Sequence, residues 1–147
     1  MPVTRIYFCG SIRGGRQLAS TYAQIISKLR SYGKVLTEHL GDDNEIERKD
    51  RILSDTRIHD RDLDWIRESD IVVADVTIPS LGVGYEIGRA IGLEKPILCV
   101  FKKDSGYKLS AMIAGSQDLD LRLYSDPSEL DEPLERFILT HAPRRIS

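Results

Sequence analysis

Short apolar runs alternate with longer amphipathic stretches along this chain. Five runs rich in β-branched or aromatic residues, bounded by glycine, proline or polar residues, predict strands at 5–9, about 34–38, 71–76, 96–101 and 119–124. Apolar residues at helical spacing predict helices from Leu18 to a stop at Gly33, over 55–69, from about Gly82, from about Leu109, and over 127–139. The charged stretch 41–51 is predicted to be a loop, and the tail 141–147 is predicted to be frayed and flexible.

Strands separated by helical crossovers predict an α/β fold with a five-stranded parallel sheet and right-handed connections. We expect a three-layer sandwich, Rossmann-like or flavodoxin-like. The chain has 147 residues, 41% of them hydrophobic, which fits a single domain over 1–147 with a sizeable core. Such sheets bind ligands beyond the carboxyl ends of their strands. Polar or glycine-rich segments follow four of the predicted strands and are expected to meet at one site: 10–16, 38–39, 80–86 and 105–110.

The segment SLGVGYE at 80–86 follows one of the apolar runs. A helix that begins near Gly82 has exposed N–H groups and a partial positive charge at its start, which suits a phosphate beside Ser80. The same dipole is expected to keep Glu86 ionised. A carboxylate beside a bound phosphate indicates chemistry on a phosphorylated small molecule. The alternative, from the local sequence alone, is an ordinary strand-to-helix turn with a solvated glutamate.

The segment GSIRGGR at 10–16 is the second glycine-rich loop. It supplies glycines that permit close backbone approach and polar side chains that can bind phosphate or sugar oxygens: Gly10, Gly14, Gly15, Ser11, Arg13 and Arg16. Its spacing matches neither the dinucleotide-binding pattern G-x-G-x-x-G nor the P-loop pattern G-x-x-x-x-G-K-[ST]. A plain glycine turn remains the alternative for this segment.

A second carboxylate, Asp62, is singled out by helical geometry. It lies between Ile58 and Ile66 on the apolar stripe of its predicted helix, whereas its acidic neighbours point to the opposite side. A carboxylate in such surroundings has a raised pKa, which suits it to hold or donate a proton. Together with Glu86 it would supply the carboxylate pair that retaining glycosidic cleavage uses. The alternative is a buried aspartate that caps or pairs structurally.

Charge and composition exclude several kinds of partner. A formal net charge of -2 and a pI of 5.9 argue against a binder of nucleic-acid polymers. No apolar run approaches the roughly 20 residues that span a bilayer, so we expect a soluble protein of the cytoplasm, with the nucleus as a second compartment. Cys9 and Cys99 fall in predicted core strands and are expected to be buried, reduced thiols. The histidines have no ligand spacing, so neither a metal nor a cofactor is expected.

Five motifs follow one another in a recognisable order along the chain. They are YFCGSIRGGR at 7–16, VLTEH at 35–39, IH at 58–59 with DL at 62–63, PSLGVGYEIGR at 79–89 and LSAMI at 109–113. In this order they resemble the 2'-deoxynucleoside 5'-phosphate N-hydrolases, which belong with the nucleoside 2-deoxyribosyltransferases. The resemblance extends from about Ile6 to Ile138.

The resemblance implies hydrolysis of the N-glycosidic bond of 2'-deoxynucleoside 5'-monophosphates through a covalent glycosyl-enzyme. Glu86 matches the family's nucleophile, Asp62 the carboxylate that assists departure of the base, and Tyr7 a tyrosine beside them. The implied substrate-binding positions are Gly10, Ser11, Ile12, Arg13, His39, Ser80, Gly82, Ser110 and Met112. His39 matches a position close to the base. Ser110 matches a serine that reaches the phosphate of the neighbouring subunit, which implies a homodimer with shared sites.

Two other functions remain open at the level of sequence. A nucleoside 2-deoxyribosyltransferase would use the same Glu86 intermediate but pass the sugar to a second base. A non-catalytic nucleotide-binding module would keep the glycine loops without needing both Asp62 and Glu86. The preferred base is also open, with 5-hydroxymethyl-dUMP as a candidate substrate by resemblance.

Overall fold

The computed structural model describes residues 3–12 and 17–142. Within these ranges the strands are β1 (Arg5–Cys9), β2 (Lys34–Val35), β3 (Ile71–Asp75), β4 (Ile97–Lys102) and β5 (Asp120–Tyr124). The helices are α1 (Ala19–Arg30), α2 (Asp43–Asp50), α3 (Asp55–Glu68), α4 (Leu81–Gly92), α5 (Ala111–Ala114) and α6 (Asp131–His141), with 3₁₀ turns at Glu38–Gly41 and Pro127–Leu130. The strands form one sheet in the order β2-β1-β3-β4-β5, and every adjacent pair is parallel. The predicted α/β fold is confirmed.

The strand side chains alternate between two apolar cores, one on each side of the sheet. Phe8 and Val73 pack with buried residues of α1 and α6 on one side. Their neighbours Cys9 and Val72 pack with buried residues of α3 and α4 on the other. Successive residues of a strand point to opposite faces, so apolar runs such as β3, in which every residue is buried, need helices on both sides. The predicted three layers are therefore confirmed.

Cys9 and Cys99 lie in β1 and β4, where both are buried and neither forms a disulfide. This agrees with their predicted role as small apolar residues of the core. Among the described residues, no helix combines the length and the apolar composition that crossing a membrane requires.

The second strand is shorter than the predicted 34–38. β2 contains only Lys34 and Val35, and the chain then turns into the 3₁₀ helix Glu38–Gly41. The Thr37 hydroxyl donates to the backbone oxygen of Phe8 at 2.7 Å and accepts from its N–H at 3.0 Å. The Thr37 side chain thus takes the place of the backbone hydrogen bonds that would continue the pairing of β2 with β1. The backbone is therefore free to turn toward the carboxyl end of the sheet.

The predicted loop 41–51 is wrong, because this segment forms helix α2 over Asp43–Asp50. A carboxylate just before the helix provides its first contacts: Asp42 Oδ1 accepts from the Asn44 N–H at 2.9 Å. One turn further on, the Arg48 guanidinium donates to Glu45 at 2.7 Å. Ile46 packs against the core. A dense charge pattern therefore marks a short, mostly solvated helix here.

The carboxyl-terminal region differs in detail from the predicted helix over 127–139. A 3₁₀ turn, Pro127–Leu130, leads into α6, which extends to His141. The His141 ring packs against Phe137 with ring centroids 4.7 Å apart, so the predicted fraying does not begin at His141. The remainder of the predicted tail, 143–147, lies outside the described residues.

Candidate active site

Helix α4 begins at the carboxyl end of β3 and brings a carboxylate to that edge of the sheet. Ser80 is its N-cap, and its Oγ accepts from the Val83 N–H at 3.2 Å. This side-chain cap fixes where the helix begins. Glu86 follows in the second turn of α4, where it is partly buried.

Tyr7 orients this carboxylate from β1. Its hydroxyl donates to Glu86 Oε2 at 2.6 Å, and its side chain is only 1% exposed. Burial, reinforced by the Glu86 charge, raises the pKa of the Tyr7 hydroxyl far above its ordinary value, so it remains a donor. Cys9 lies two residues further along the same face of β1, and its thiol also hydrogen-bonds to Glu86. Two residues on the same face of β1 thus hold the Glu86 carboxylate.

Glu86 is not held in its ionised form as the sequence predicted. Burial raises its pKa to about 7, and the charge of Asp62 adds to the rise, while the hydrogen bond from Tyr7 opposes it. The helix dipole acts mainly within the first turn, and Glu86 is the sixth residue of α4. Desolvation therefore prevails over the dipole, and at neutral pH the carboxylate is close to half protonated.

Asp62 approaches the same site from α3. It is partly buried and lines a cleft that Glu86 also lines, so its predicted inward orientation is confirmed. Burial raises its pKa, as predicted, while the Arg61 guanidinium opposes the rise through a 3.0 Å hydrogen bond to Asp62 Oδ1. Two carboxylates with raised pKa values therefore face one cleft.

The cleft has a volume of about 720 Å³, within the range of sites for small molecules. The structure places six of the predicted site residues in its lining: Gly10, Ile12, Asp62, Ser80, Gly82 and Glu86. At its deep end is a smaller space of about 30 Å³, which we call the inner cavity. Its walls are Tyr7, Gly10, Ile12, Thr37, His39, Leu40, Asp50, Arg61, Asp62 and Glu86. The predicted residues Tyr7 and His39 are therefore at the site, in its interior.

Four predicted residues are not placed in this lining. Ser11 is buried outside it, with its N–H donating to the Tyr22 hydroxyl at 3.2 Å. Arg13 lies outside the described residues. Ser110 and Met112 lie at the start of α5, away from both spaces, where the Ser110 Oγ accepts from the Met112 N–H at 3.2 Å. Both are exposed.

Several residues that line the cleft were not predicted from the sequence, among them His59, Tyr85 and Asp50. His59 Nε2 lies 2.8 Å from the Tyr85 hydroxyl, which accepts from Arg89 Nη1 at 2.7 Å. The spacing offered one signal, since His59 precedes Asp62 by three residues on the same helix face. Asp50 was not predicted as a site residue because its segment was expected to form a loop.

An ion-paired group joins α2 to α3 beside the inner cavity. Arg61 Nη1 donates to Asp50 Oδ1 at 2.8 Å while its Nε donates to Asp62. The guanidinium carbon lies 4.7 Å from the centroid of the Trp65 ring, which adds a cation–π contact. Within residues 3–12 and 17–142, no group of three histidine, cysteine or acidic side chains is arranged to hold a metal ion.

Comparison with known proteins places this site in a family. The family model described as nucleoside 2-deoxyribosyltransferase matches residues 6–123. The 5-hydroxymethyl-dUMP N-hydrolase of Rattus norvegicus is 49% identical over 147 residues, which cover 97% of this chain and 89% of the relative. The protein of the same name from Homo sapiens is 52% identical over 146 residues, 97% of this chain and 83% of the relative.

Solved structures agree on the fold. The Clostridium botulinum CMP N-glycosidase BcmB superposes with a TM-score of 0.62 at 17% identity, over 91% of this chain and 99% of that one. A 2-desoxiribosyltransferase from Leishmania mexicana gives a TM-score of 0.55 at 14% identity, over 94% and 98% of the two chains. The predicted resemblance to 2'-deoxynucleoside 5'-phosphate N-hydrolases is confirmed by the sequence relatives, and the chain belongs to the nucleoside 2-deoxyribosyltransferase family.

Proposed function

We propose that this protein hydrolyses the N-glycosidic bond of 2'-deoxynucleoside 5'-monophosphates to the free base and 2-deoxyribose 5-phosphate. The observation that carries the proposal is the pair of partly buried carboxylates, Glu86 and Asp62, facing one cleft, with Tyr7 holding the first of them. The relatives named 5-hydroxymethyl-dUMP N-hydrolase support this reaction and make that nucleotide the first substrate to test.

In the first step Glu86, as the carboxylate, attacks C1' of the deoxyribose. A bond forms between C1' and a Glu86 oxygen while the bond from C1' to the base nitrogen breaks. Asp62 assists by giving its proton to the departing base, the role of the acid in a retaining glycosidase. In the second step a water attacks C1', the bond to Glu86 breaks, and Asp62 takes the water's proton.

Burial raises the pKa values of both carboxylates, so each can exchange a proton at neutral pH more readily than a solvated carboxyl group. The pKa of Glu86, about 7, leaves a large fraction ionised at neutral pH for attack. Burial raises the pKa of Asp62, which favours a group that carries a proton in one step and accepts one in the next. Arg61 limits that rise and so keeps Asp62 able to exchange its proton.

The start of α4 is the proposed contact for the 5'-phosphate. The first N–H groups of a helix and its dipole favour a bound anion. Ser80 and Gly82 line the cleft at this end of α4. A Cβ at Gly82 would lie 3.9 Å from Glu86 Oε1, so glycine leaves the approach to the carboxylate open. Arg13 is proposed as a further phosphate contact from the resemblance alone.

A homodimer with Ser110 completing the neighbouring site belongs to this proposal. Ser110 and Met112 are exposed, Met112 to 83%, which suits residues that serve another subunit's cleft. Mixing Ser110→Ala with Glu86→Gln subunits tests it, because each hybrid dimer would contain one site with both native residues. Activity above the sum of the two separate variants is expected. Additive activity would contradict a shared site.

The main experiment separates hydrolysis from the alternatives. The protein is incubated with deoxynucleoside and ribonucleoside 5'-monophosphates, 5-hydroxymethyl-dUMP included, and free bases are resolved chromatographically, with Glu86→Gln as the control. We expect base release from deoxynucleotides, slower release from ribonucleotides, whose 2'-hydroxyl destabilises an oxocarbenium-like transition state, and none from the control. An added acceptor base reveals a transferase through a new nucleotide product. Absence of base release from every deoxynucleotide would sink the proposal.

A further inference from the structure

The inner cavity has the size and the chemistry of a site for one water molecule. Its volume of about 30 Å³ is close to the share of one molecule in liquid water. Its polar walls include His39, Asp50, Arg61 and both carboxylates of the site, which come from four different elements. A buried water needs two to four polar partners, and these walls offer them.

His39 is the side chain that points to an occupant. It is 3% exposed, and no described residue hydrogen-bonds to either of its ring nitrogens. Buried polar atoms in native proteins are paired with protein groups or with ordered water. His39 Nε2 lies 3.6 Å from Asp50 Oδ1, beyond a direct hydrogen bond but at a separation that a water can bridge.

The charge state of His39 suits this role. Burial lowers its pKa to about 4, although the charge of Asp50 opposes the shift. The imidazole is therefore neutral at pH 7, with one nitrogen that donates and one that accepts. A neutral ring can fix both the position and the orientation of a water without competing for its proton.

The location of the inner cavity relates this water to the proposed reaction. Glu86 and Asp62 belong both to its walls and to the lining of the cleft. In a retaining mechanism the water must reach C1' from the face that the base has left, with the second carboxylate as its base. A water that His39 holds in this cavity shares its walls with Glu86, the glycosylated residue, and with Asp62, the acceptor for its proton.

We propose that the inner cavity holds the water that hydrolyses the glycosyl-enzyme, and that His39 is the residue positioning it. The inference rests on the proposed function and adds the source of the nucleophile in its second step. The water oxygen bonds to C1', the bond from C1' to the Glu86 oxygen breaks, and one water proton passes to Asp62. The products are 2-deoxyribose 5-phosphate and the free Glu86 carboxylate.

The test separates the two chemical steps with variants of His39. His39→Phe keeps a ring against Trp65, whose centroid lies 5.8 Å from that of His39, but removes both nitrogens. His39→Gln restores polar atoms and is the matched control. Base release from a deoxynucleoside monophosphate is measured by rapid quench. The initial burst of base gives the rate of the first step, and the steady-state turnover that follows gives the rate of the second step. Intact-protein mass spectrometry then detects the covalent intermediate.

We expect His39→Phe to slow steady-state turnover at least about tenfold more than it slows the burst, the rate equivalent of one lost hydrogen bond. The intermediate should accumulate in this variant, and His39→Gln should recover part of the turnover. Equal slowing of burst and turnover would overturn the inference by placing His39 on the departing base, and so would two unchanged rates. If His39→Phe does not fold, His39→Leu, which also lacks hydrogen-bonding atoms, gives the same comparison of rates. No base release by the wild type would instead refute the proposed function itself.

Discussion

Two carboxylate–tyrosine pairs in this protein have the same geometry and different surroundings. The Tyr7 hydroxyl donates to Glu86 at 2.6 Å, and the Tyr124 hydroxyl donates to Asp75 at 2.6 Å. Burial is the first cause of a raised pKa in both carboxylates. Asp75, however, is 0% exposed and accepts a second bond from the Thr77 N–H at 3.0 Å, whereas Glu86 opens onto the cleft.

The difference shows what separates a structural carboxylate from a reactive one. The Asp75 pair reaches from the end of β3 across β4 to the end of β5, and the Thr77 hydroxyl accepts from the Lys102 N–H of β4 at 2.9 Å. That pair joins three strands. The Glu86 pair has a second carboxylate opposite and space for a ligand, so access and a partner, rather than burial, identify the site.

Exchange of each carboxylate for a neutral residue gives the largest expected effects. Glu86→Gln should keep the fold and lower the rate of base release by about 10⁴-fold or more, because the amide cannot form the covalent intermediate. Asp75→Ala should lower the free energy of unfolding by about 2–4 kcal/mol, since it leaves two buried donors unpaired. Denaturant unfolding and base release per folded molecule measure both. A stable, inactive Asp75→Ala protein would break the comparison.

Removal of the two hydroxyls tests the pairs from the tyrosine side. Tyr7→Phe removes a hydrogen bond that lowers the pKa of Glu86, so the pKa of Glu86 should rise further and base release at pH 7 should fall by about 10- to 100-fold. Tyr124→Phe should leave the rate unchanged and lower the free energy of unfolding by about 1–2 kcal/mol. The pH profile of kcat/KM distinguishes the two, because only Tyr7→Phe should move its acidic limb upward.

The pH dependence sharpens the contrast in the wild-type protein. With a pKa raised from 4.5 to about 7, Glu86 keeps a proton in the folded state that the unfolded chain releases between these values. The contribution of Glu86 to stability should therefore fall as the pH rises from about 4.5 to 7 and be level above that, while kcat/KM rises over the upper part of the window. The wild type should lose up to about 3 kcal/mol relative to Glu86→Gln across this range. Parallel stability curves for the two proteins would contradict the raised pKa.

The sequence was sufficient for features that depend on local pattern. β3 and α4 follow from an apolar run, a glycine-rich turn and helical spacing, and the carboxyl end of a parallel strand is where such folds bind ligands. Asp62 was found because helical periodicity alone places it on the apolar side of α3. These choices require no knowledge of distant contacts.

The remaining features depend on contacts between distant parts of the chain. The pKa of Glu86 depends on its burial in the folded protein and on hydrogen bonds from β1, 79 positions away in the case of Tyr7. The Asp75–Tyr124 pair spans 49 positions, and no local pattern distinguishes it from an ordinary strand end. Helix α2 was missed because its stability comes from a cap and from Ile46 on the core rather than from an apolar stripe. Such features are fixed by tertiary packing, which periodicity does not encode.

The smallest expected effect comes from two glycines of α4, one in the cleft and one away from it. A Cβ at Gly82 would meet Ser80 Oγ at 3.8 Å and Glu86 Oε1 at 3.9 Å, whereas a Cβ at Gly88 meets nothing within 4 Å. Gly88→Ala should therefore raise the free energy of unfolding by about 0.5–1 kcal/mol with unchanged kinetics.

Gly82→Ala should fold equally well and raise KM for a deoxynucleoside monophosphate by about tenfold, the effect of one methyl group in a binding site. Comparison with the unphosphorylated nucleoside shows whether the added methyl group acts at the phosphate. A larger rise in KM for the monophosphate is expected, because the first turn of α4 is its proposed contact. An equal rise for both substrates would move the phosphate away from this helix and leave Gly82 beside the sugar.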